Sequence, residues 1–419
     1  MEIIQLSEGV TLRCFQDKRF KQGCLSVQFV WPMRREEAAR NALLPAVLLR
    51  GTEKNSDLRK ITARLDDLYG ASMGALVRRV GDYQTTGLYC GFIEDKYALE
   101  GDEIFAPMVD FLEEVLFHPL LQNGVFAEAF VESEKKNLIA TLDGEMNDKR
   151  TYASAQLMRH MCREDSFGVP RLGDRETVSE ITAQSLFSHY QKVICESRVE
   201  LFYVGSGEIE AVAEKLSGIF GGVRKPQTLP AQTVFSGSPA GNITQKMEIS
   251  QGKLAMGYVT PITLRSEEFA AMQMCNTILG GGMTSKLFSR VREELSLCYD
   301  IGSGYHGSKG IVVISAGIDS RMGETVEKEV DAAVEAMARG EILETEMENA
   351  RQALLSALSS THDTPGSIES YYATATLSGL KLTPEAYMEK IKGVTAAQVS
   401  AAAATLQKHT VYFLEGTKE

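Results

Sequence analysis

Short apolar runs bounded by turn residues predict strands at 24–31 (CLSVQFVW), 88–93 (LYCGFI), 253–259 (KLAMGYV) and 310–318 (GIVVISAGI). Two more follow near the ends of the halves, LFYVG at 201–205 and VYFLEG at 411–416. Between them the apolar period lengthens to that of a helix. Leu58, Ile61, Leu65 and Leu68 recur on one face, with Ser56 as the expected cap and Gly70 as the stop. Phe111, Leu112, Val115 and Leu116 make a second stripe, closed by His118 and Pro119. A longer helical stretch from about Phe126 is mirrored by 348–359. Strands followed by segregated helices predict an α+β fold, a mostly antiparallel sheet with helices packed on one face.

The order occurs twice. Val-Trp-Pro at 30–32 followed by Glu36-Glu37-Ala38-Ala39 answers Val-Thr-Pro at 259–261 followed by Glu267-Glu268-Phe269-Ala270. Gly51 answers Gly280, and Ile181-Thr182-Ala183 before a strand answers Val394-Thr395-Ala396 before another. The matches keep their order, so two similar domains in tandem are expected. Glycine, proline and serine crowd the stretch GGVRKPQTLPAQTVFSGSPAG without apolar period. It divides the chain into an amino-terminal domain (1–222), a linker (223–241) and a carboxy-terminal domain (242–419).

Composition narrows the function classes. With 44% hydrophobic and 24% charged residues, the 419-residue chain has the make-up of a soluble globular protein. No stretch reaches the roughly 20 apolar residues that span a bilayer, and the acidic start MEIIQLSEG lacks a secretory leader's basic region. No membrane association is expected. A net charge of −12 argues against nucleic acid. Seven scattered cysteines without CxxC spacing fit reduced thiols in a cytoplasmic protein. The six histidines never fall at metal-ligand spacing, and no Ser-His-Asp or Cys-His constellation stands out.

Two segments carry the remaining chemistry. NALLPAVLLRGT (41–52) is an apolar helix ending in Arg50-Gly51-Thr52. LGGGMTSKLFSRVREELSLCYDIGS (279–303) opens a helix from a glycine-rich turn, with Arg292 and Tyr299 seven residues apart. The glycines do not form a P-loop: counted from Gly280, Ser285 stands where the second glycine belongs and Leu287 follows Lys286.

Together with Phe167-Gly168-Val169-Pro170, Gly173 and Glu176, these segments resemble the pitrilysin/insulinase zinc metallopeptidases, especially half-length members similar to mitochondrial processing peptidase. The resemblance covers nearly the whole chain. It implies two similar α+β domains in a clamshell arrangement, paired chains around a chamber, and substrate held as an extended strand at a sheet edge. It also implies where a metal site would lie. The His-x-x-Glu-His positions correspond to Ala42, Pro45 and Ala46, and the third ligand, seven residues after Glu134, to Thr141. Methyl groups, a pyrrolidine and a hydroxyl cannot hold zinc or act as its general base. Pro45 would also cost a helix interior about 3 kcal/mol. No metal is expected in this chain.

The second-domain pair carries over as Arg292 and Tyr299, which the resemblance implies steady the peptide backbone and its oxyanion. Gly280, Gly281 and Gly282 are implied peptide contacts. A packing role competes with this, because the first half carries Arg64 and Tyr69 on the matching helix. The expected function is the non-catalytic, substrate-contacting subunit of a heterodimeric peptide-hydrolysing metallopeptidase. Such a chain is not catalytic alone, and a partner of similar length carries the zinc. A homodimer is the other assembly left open. The alternative function is a stand-alone peptide-binding or scaffold protein in protein maturation or modification.

Overall fold

The computed structural model describes residues 1–145, 147–222 and 225–417. Val223 and Arg224 of the expected linker, and Lys418 and Glu419 of the expected second domain, lie outside the described residues. The strands are β1 (Glu2–Ser7), β2 (Val10–Gln16), β3 (Gln22–Pro32), β4 (Ser72–Val80), β5 (Tyr83–Ile93), the short hairpin β6 (Leu121–Gln122) and β7 (Val125–Phe126), β8 (Arg198–Gly205), β9 (Gly241–Met247), β10 (Gly252–Val259), β11 (Cys298–His306), β12 (Ile311–Ile318) and β13 (Gln407–Gly416). Two sheets account for all but the hairpin. The first runs β1-β2-β8-β3-β5-β4 and the second β11-β12-β10-β13-β9.

Written from the other edge, the second order is β9-β13-β10-β12-β11, the order β2-β8-β3-β5-β4 with one partner per strand. The pairings agree as well: β2 with β8 and β9 with β13 are parallel, and every other pair is antiparallel. The sequence repeat is thus a repeat of topology, with β1 an addition to the first sheet. Both sheets are mostly antiparallel with helices against them, as the α+β pattern predicts, but the helices cover both faces of each sheet and not one.

Alternation along the strands explains the layers. In the first unit Leu25, Val27 and Phe29 of β3 face a core shared with Leu43, Leu44 and Val47, with Val109 and Leu112, and with Val212 and Leu216 of the helix Ile209–Phe220. The opposite face is not bare. There Cys24 and Val204 pack with Ile368, and Ser26 and Gln28 donate hydrogen bonds to the buried carboxylate of Glu369 at 2.6 and 2.9 Å. Ile368 and Glu369 belong to the helix Pro365–Ser378, from the far end of the sequence.

The second unit repeats the device. On one face of β10, Tyr258 donates a 2.6 Å hydrogen bond to Asp331 of the helix Gly323–Ala338. On the other, Ala255, Ile311 and Val313 meet Ala153, Leu157 and Met161 of the helix Lys149–Met161. The compact units are therefore discontinuous: 1–142, 170–231 and 362–374 form one, and 143–169, 232–361 and 375–419 the other. No described helix is long and apolar enough to cross a membrane.

Local details differ from the sequence reading in three places. The helix Leu58–Asp67 is capped by Asp57, whose carboxylate accepts from the Lys60 amide, and not by Ser56. Tyr69 lies beyond that helix at φ 60°, so it does not share the helix with Arg64. The strand expected at 88–93 begins at Tyr83, through the polar run Gln84, Thr85 and Thr86.

Candidate functional site

The helix Arg35–Leu48 carries the positions that would hold a metal. Ala42 and Pro45 are buried and Ala46 is half-buried, and none offers a lone pair suited to a cation. Thr141 is exposed on the helix Glu128–Glu145 and turns its hydroxyl back to the Asn137 carbonyl at 3.0 Å. Glu134, the carboxylate at the matching spacing, is already engaged. It accepts from the Arg50 guanidinium at 3.2 Å and from the Asn137 amide at 3.1 Å. This donor set does not fit zinc. Among the described residues no group of three or more His, Cys, Asp or Glu could hold a metal ion.

The helix is built into a polar network instead. Pro45 has no N–H, so the Asn41 carbonyl one turn earlier lacks its helical donor. The Thr86 hydroxyl of β5 supplies one at 2.6 Å. The Asn41 side chain is completely buried, donates to Gln84 at 2.9 Å and lies 2.7 Å from His189 Nε2. Burial, reinforced by the nearby Arg40 charge, holds His189 down at about 4, so the ring is neutral at pH 7 and Nε2–H donates to the Asn41 amide oxygen. Glu37 closes the network, accepting from Trp31 Nε1 and, at 2.9 Å, from Lys192. Burial raises this carboxyl, but the hydrogen bonds from Lys192 and Trp31 outweigh it and leave Glu37 below the ordinary glutamate range.

The second-unit residues are set differently. The helix Phe269–Gly280 ends where Gly280 packs against β11: a Cβ there would lie 2.6 Å from the Ser303 amide nitrogen. One on Gly281 would lie 2.6 Å from Thr277 Cα, whereas Gly282 faces open space. The chain then forms a π-helical segment, Phe288–Glu294, anchored by buried Val291. Arg292 lies in it, its guanidinium 4.5 Å from the Phe288 ring centroid and 3.7 Å from Glu293. Ser296, at φ 52°, turns the chain into β11.

Tyr299 occupies a β-bulge. Cys298 pairs with Ile318 and Asp300 with Gly317, leaving Tyr299 the extra residue, 60% exposed. Because β11 is an edge strand, its outer main-chain groups are unused by the sheet. Arg150, from the helix Lys149–Met161, pairs with the neighbouring Asp300 at 3.0 Å. Its place beside this edge had no signal in the sequence, because 149 residues of intervening fold decide which sheet that helix meets. In the first unit the answering Tyr69 is committed, donating to Asp102 at 2.6 Å and accepting from the Leu99 amide at 3.1 Å. Tyr299 makes no such bond among the described residues.

Residues 180–354 match the model of the peptidase M16 inactive domain. The chain is 27% identical to "Probable inactive metalloprotease YmfF" of Bacillus subtilis over 98% of its own length and 96% of that protein's. Its fold superposes on a conserved protein from Enterococcus faecalis with a TM-score of 0.93 at 28% identity, covering 100% of this chain and 99% of that one. A peptidase M16 inactive domain from Pseudomonas fluorescens matches with a TM-score of 0.82 at 19% identity, covering 100% of this chain and 99% of that one, a likeness of fold.

Proposed function

We propose that the chain is a catalytically inactive homologue of the M16 (pitrilysin/insulinase) metallopeptidases, and that it is the non-catalytic, substrate-contacting subunit of a heterodimeric peptide-hydrolysing enzyme. The partner is a chain of similar length that carries the zinc, and the hydrolytic step belongs to it. The observation that carries the reading is the contrast between the two units. The helix Arg35–Leu48 offers no metal donor at Ala42, Pro45 or Ala46, while Arg292 and Tyr299 stand accessible beside an unused sheet edge.

An extended peptide can add to β11 through main-chain hydrogen bonds. Arg292 then offers a planar fork to a peptide carbonyl or carboxylate. Tyr299 offers a phenolic O–H to the oxyanion that develops at the scissile carbonyl. Gly282 leaves room for the peptide backbone to approach the turn. The domain division at 223–241 belongs to this reading, and so does a cytoplasmic setting, in which seven free cysteines would persist as thiols.

Co-expression with a similar-length chain bearing an intact zinc motif tests the proposal. The expected result is a stable mixed complex whose peptidase activity is lost to chelators. Within it, Arg292→Ala should raise KM and Tyr299→Phe should lower kcat, each by about tenfold or more. Unchanged kinetics in both variants would remove their assigned roles. A chain that pairs with no zinc-bearing partner yet retains peptides would favour the scaffold function. Stoichiometric zinc and cleavage by the isolated chain would end the reading.

A further inference from the structure

The two units can be compared position by position around one spot. Thr182 and Thr395 both cap helices through reciprocal capping boxes, with Ser185 and Gln398 as their partners three residues on. This sets the register of the helices Ala183–Glu196 and Ala396–Ala403, so that His189 answers Ala402; the second helix ends at Ala403, and the same count carried into the turn after it brings Thr405 opposite Lys192. Trp31 and Thr260 each precede a proline at the end of the matching strands, Pro32 closing β3 and Pro261 just beyond β10, and Glu37 answers Glu268 in the repeated Glu-Glu pair.

In the first unit these positions fill the space. Lys192 Nζ lies 5.0 Å from the Trp31 ring centroid, the His189 ring sits edge-on to the indole at 6.3 Å, and Glu37 accepts from both Trp31 and Lys192. In the second unit the same positions are small. Thr260 and Thr405 hydroxyls meet at 2.6 Å, and beside them opens a cavity of about 710 Å3. That volume is ordinary for a ligand site. Ile262, Ala271, Val394 and Ala402 give it an apolar lining.

Charge at the rim points the same way. Glu267 and Glu268 both line the cavity, are exposed, and have no ion-pair partner among the described residues. Glu389 is paired with Lys392 at 2.7 Å, and Lys390 is the cation among the lining residues. The first unit uses an indole and an ammonium on a carboxylate to fill this place. The second keeps the carboxylate and omits the filling.

We infer that the cavity bounded by Ile262, Glu268, Val394 and Ala402 binds a peptide segment that presents an aromatic side chain beside a basic one. The aromatic ring enters the apolar lining, and the cation reaches Glu268 and Glu267. This site is separate from Arg292 and Tyr299, and it does not rest on the peptidase-subunit reading.

The test is calorimetric titration of the full chain with acetyl-Lys-Trp-Lys-amide, together with methyl NMR of Ile262 and Val394. Binding should shift both methyl signals and be at least tenfold tighter than for acetyl-Lys-Ala-Lys-amide or acetyl-Glu-Trp-Glu-amide. The exposed double change Glu267→Gln with Glu268→Gln should weaken it about tenfold without disturbing the fold. Ala402→His with Thr405→Lys, which restores two of the three side chains that fill the first unit, should abolish it; Ala271→Arg provides a second way to occlude the space. Equal binding of the three peptides, or undiminished binding by a folded occluded variant, would overturn the assignment.

Discussion

At the scale of single residues, the buried cluster around His189 makes the first unit sensitive to acid. Its imidazole is held at about 4 by burial and the Arg40 charge, against an ordinary value near 6.5. The folded state therefore binds fewer protons than the unfolded chain between those values, so stability rises with pH across that window. The contribution is complete above about pH 6.5 and is lost as pH falls towards 4, up to roughly 3 kcal/mol. Glu37, also lowered on folding, adds a loss of the same sign once the pH reaches the carboxylate range. His189→Gln keeps a donor for Asn41 and removes the titration. Thermal melts of that variant should show a shallower decline in Tm from pH 6.5 to 4 than the parent; parallel profiles would assign the acid sensitivity elsewhere. None of this was visible in the sequence. A lone histidine in an amphipathic helix carries no sign of what faces it, and its partner Asn41 is 148 residues away. The absence of metal donors at Ala42, Pro45 and Ala46 was legible, because it depends only on what those side chains are.

At the scale of elements, Pro45 shows how a local rule is met by a distant residue. A proline inside a helix leaves the carbonyl four residues earlier without its donor, here that of buried Asn41. The polar start of β5 supplies the remedy: Thr86 donates to that carbonyl, and Gln84 donates to the Ala38 carbonyl at 3.1 Å. The same polarity hid residues 83–87 from a reading of apolar alternation, so the strand looked shorter than it is. Thr86→Val should cost about 1–3 kcal/mol, the penalty of a buried unsatisfied carbonyl. In a Pro45→Ala background the helix regains its own N–H donor, and the same change should cost about 1 kcal/mol less, or better. Denaturant unfolding of the four proteins measures this coupling; an additive cycle would mean that Thr86 does not serve the proline. The π-helical segment and the bulge at Tyr299 were also beyond the pattern, since each is a departure from a regular period. The caps at Thr182 and Thr395 were within reach, marked by the repeated Thr-Ala after an apolar residue.

At the scale of the whole molecule, the repeat was readable but its closure was not. Matching strands betray themselves by order and apolar alternation, and the two sheets share one topology. The helices that complete each unit's second face come from the other half of the sequence, and an amphipathic stripe does not say which sheet it will meet. Residues 143–169 belong to the second unit and 362–374 to the first. Removing residues 223–240, the stretch before β9, would thus give two fragments, 1–222 and 241–419, each lacking one helix it needs. The first would expose the side of β3 and β8 that carries Cys24 and Val204, and leave Arg78 without the carboxylate it holds at 2.7 Å. The second would expose Ala255, Ile311, Val313 and Leu414, which the helix Lys149–Met161 covers. Losing that much buried apolar surface outweighs the few kcal/mol by which a domain is stable. Neither fragment should unfold cooperatively alone, whereas the two together should recover a single sharp transition in thermal circular dichroism. A fragment 1–222 that melts cooperatively by itself would show that the crossing helix is dispensable, and that the half-chain, rather than the exchanged unit, is what folds.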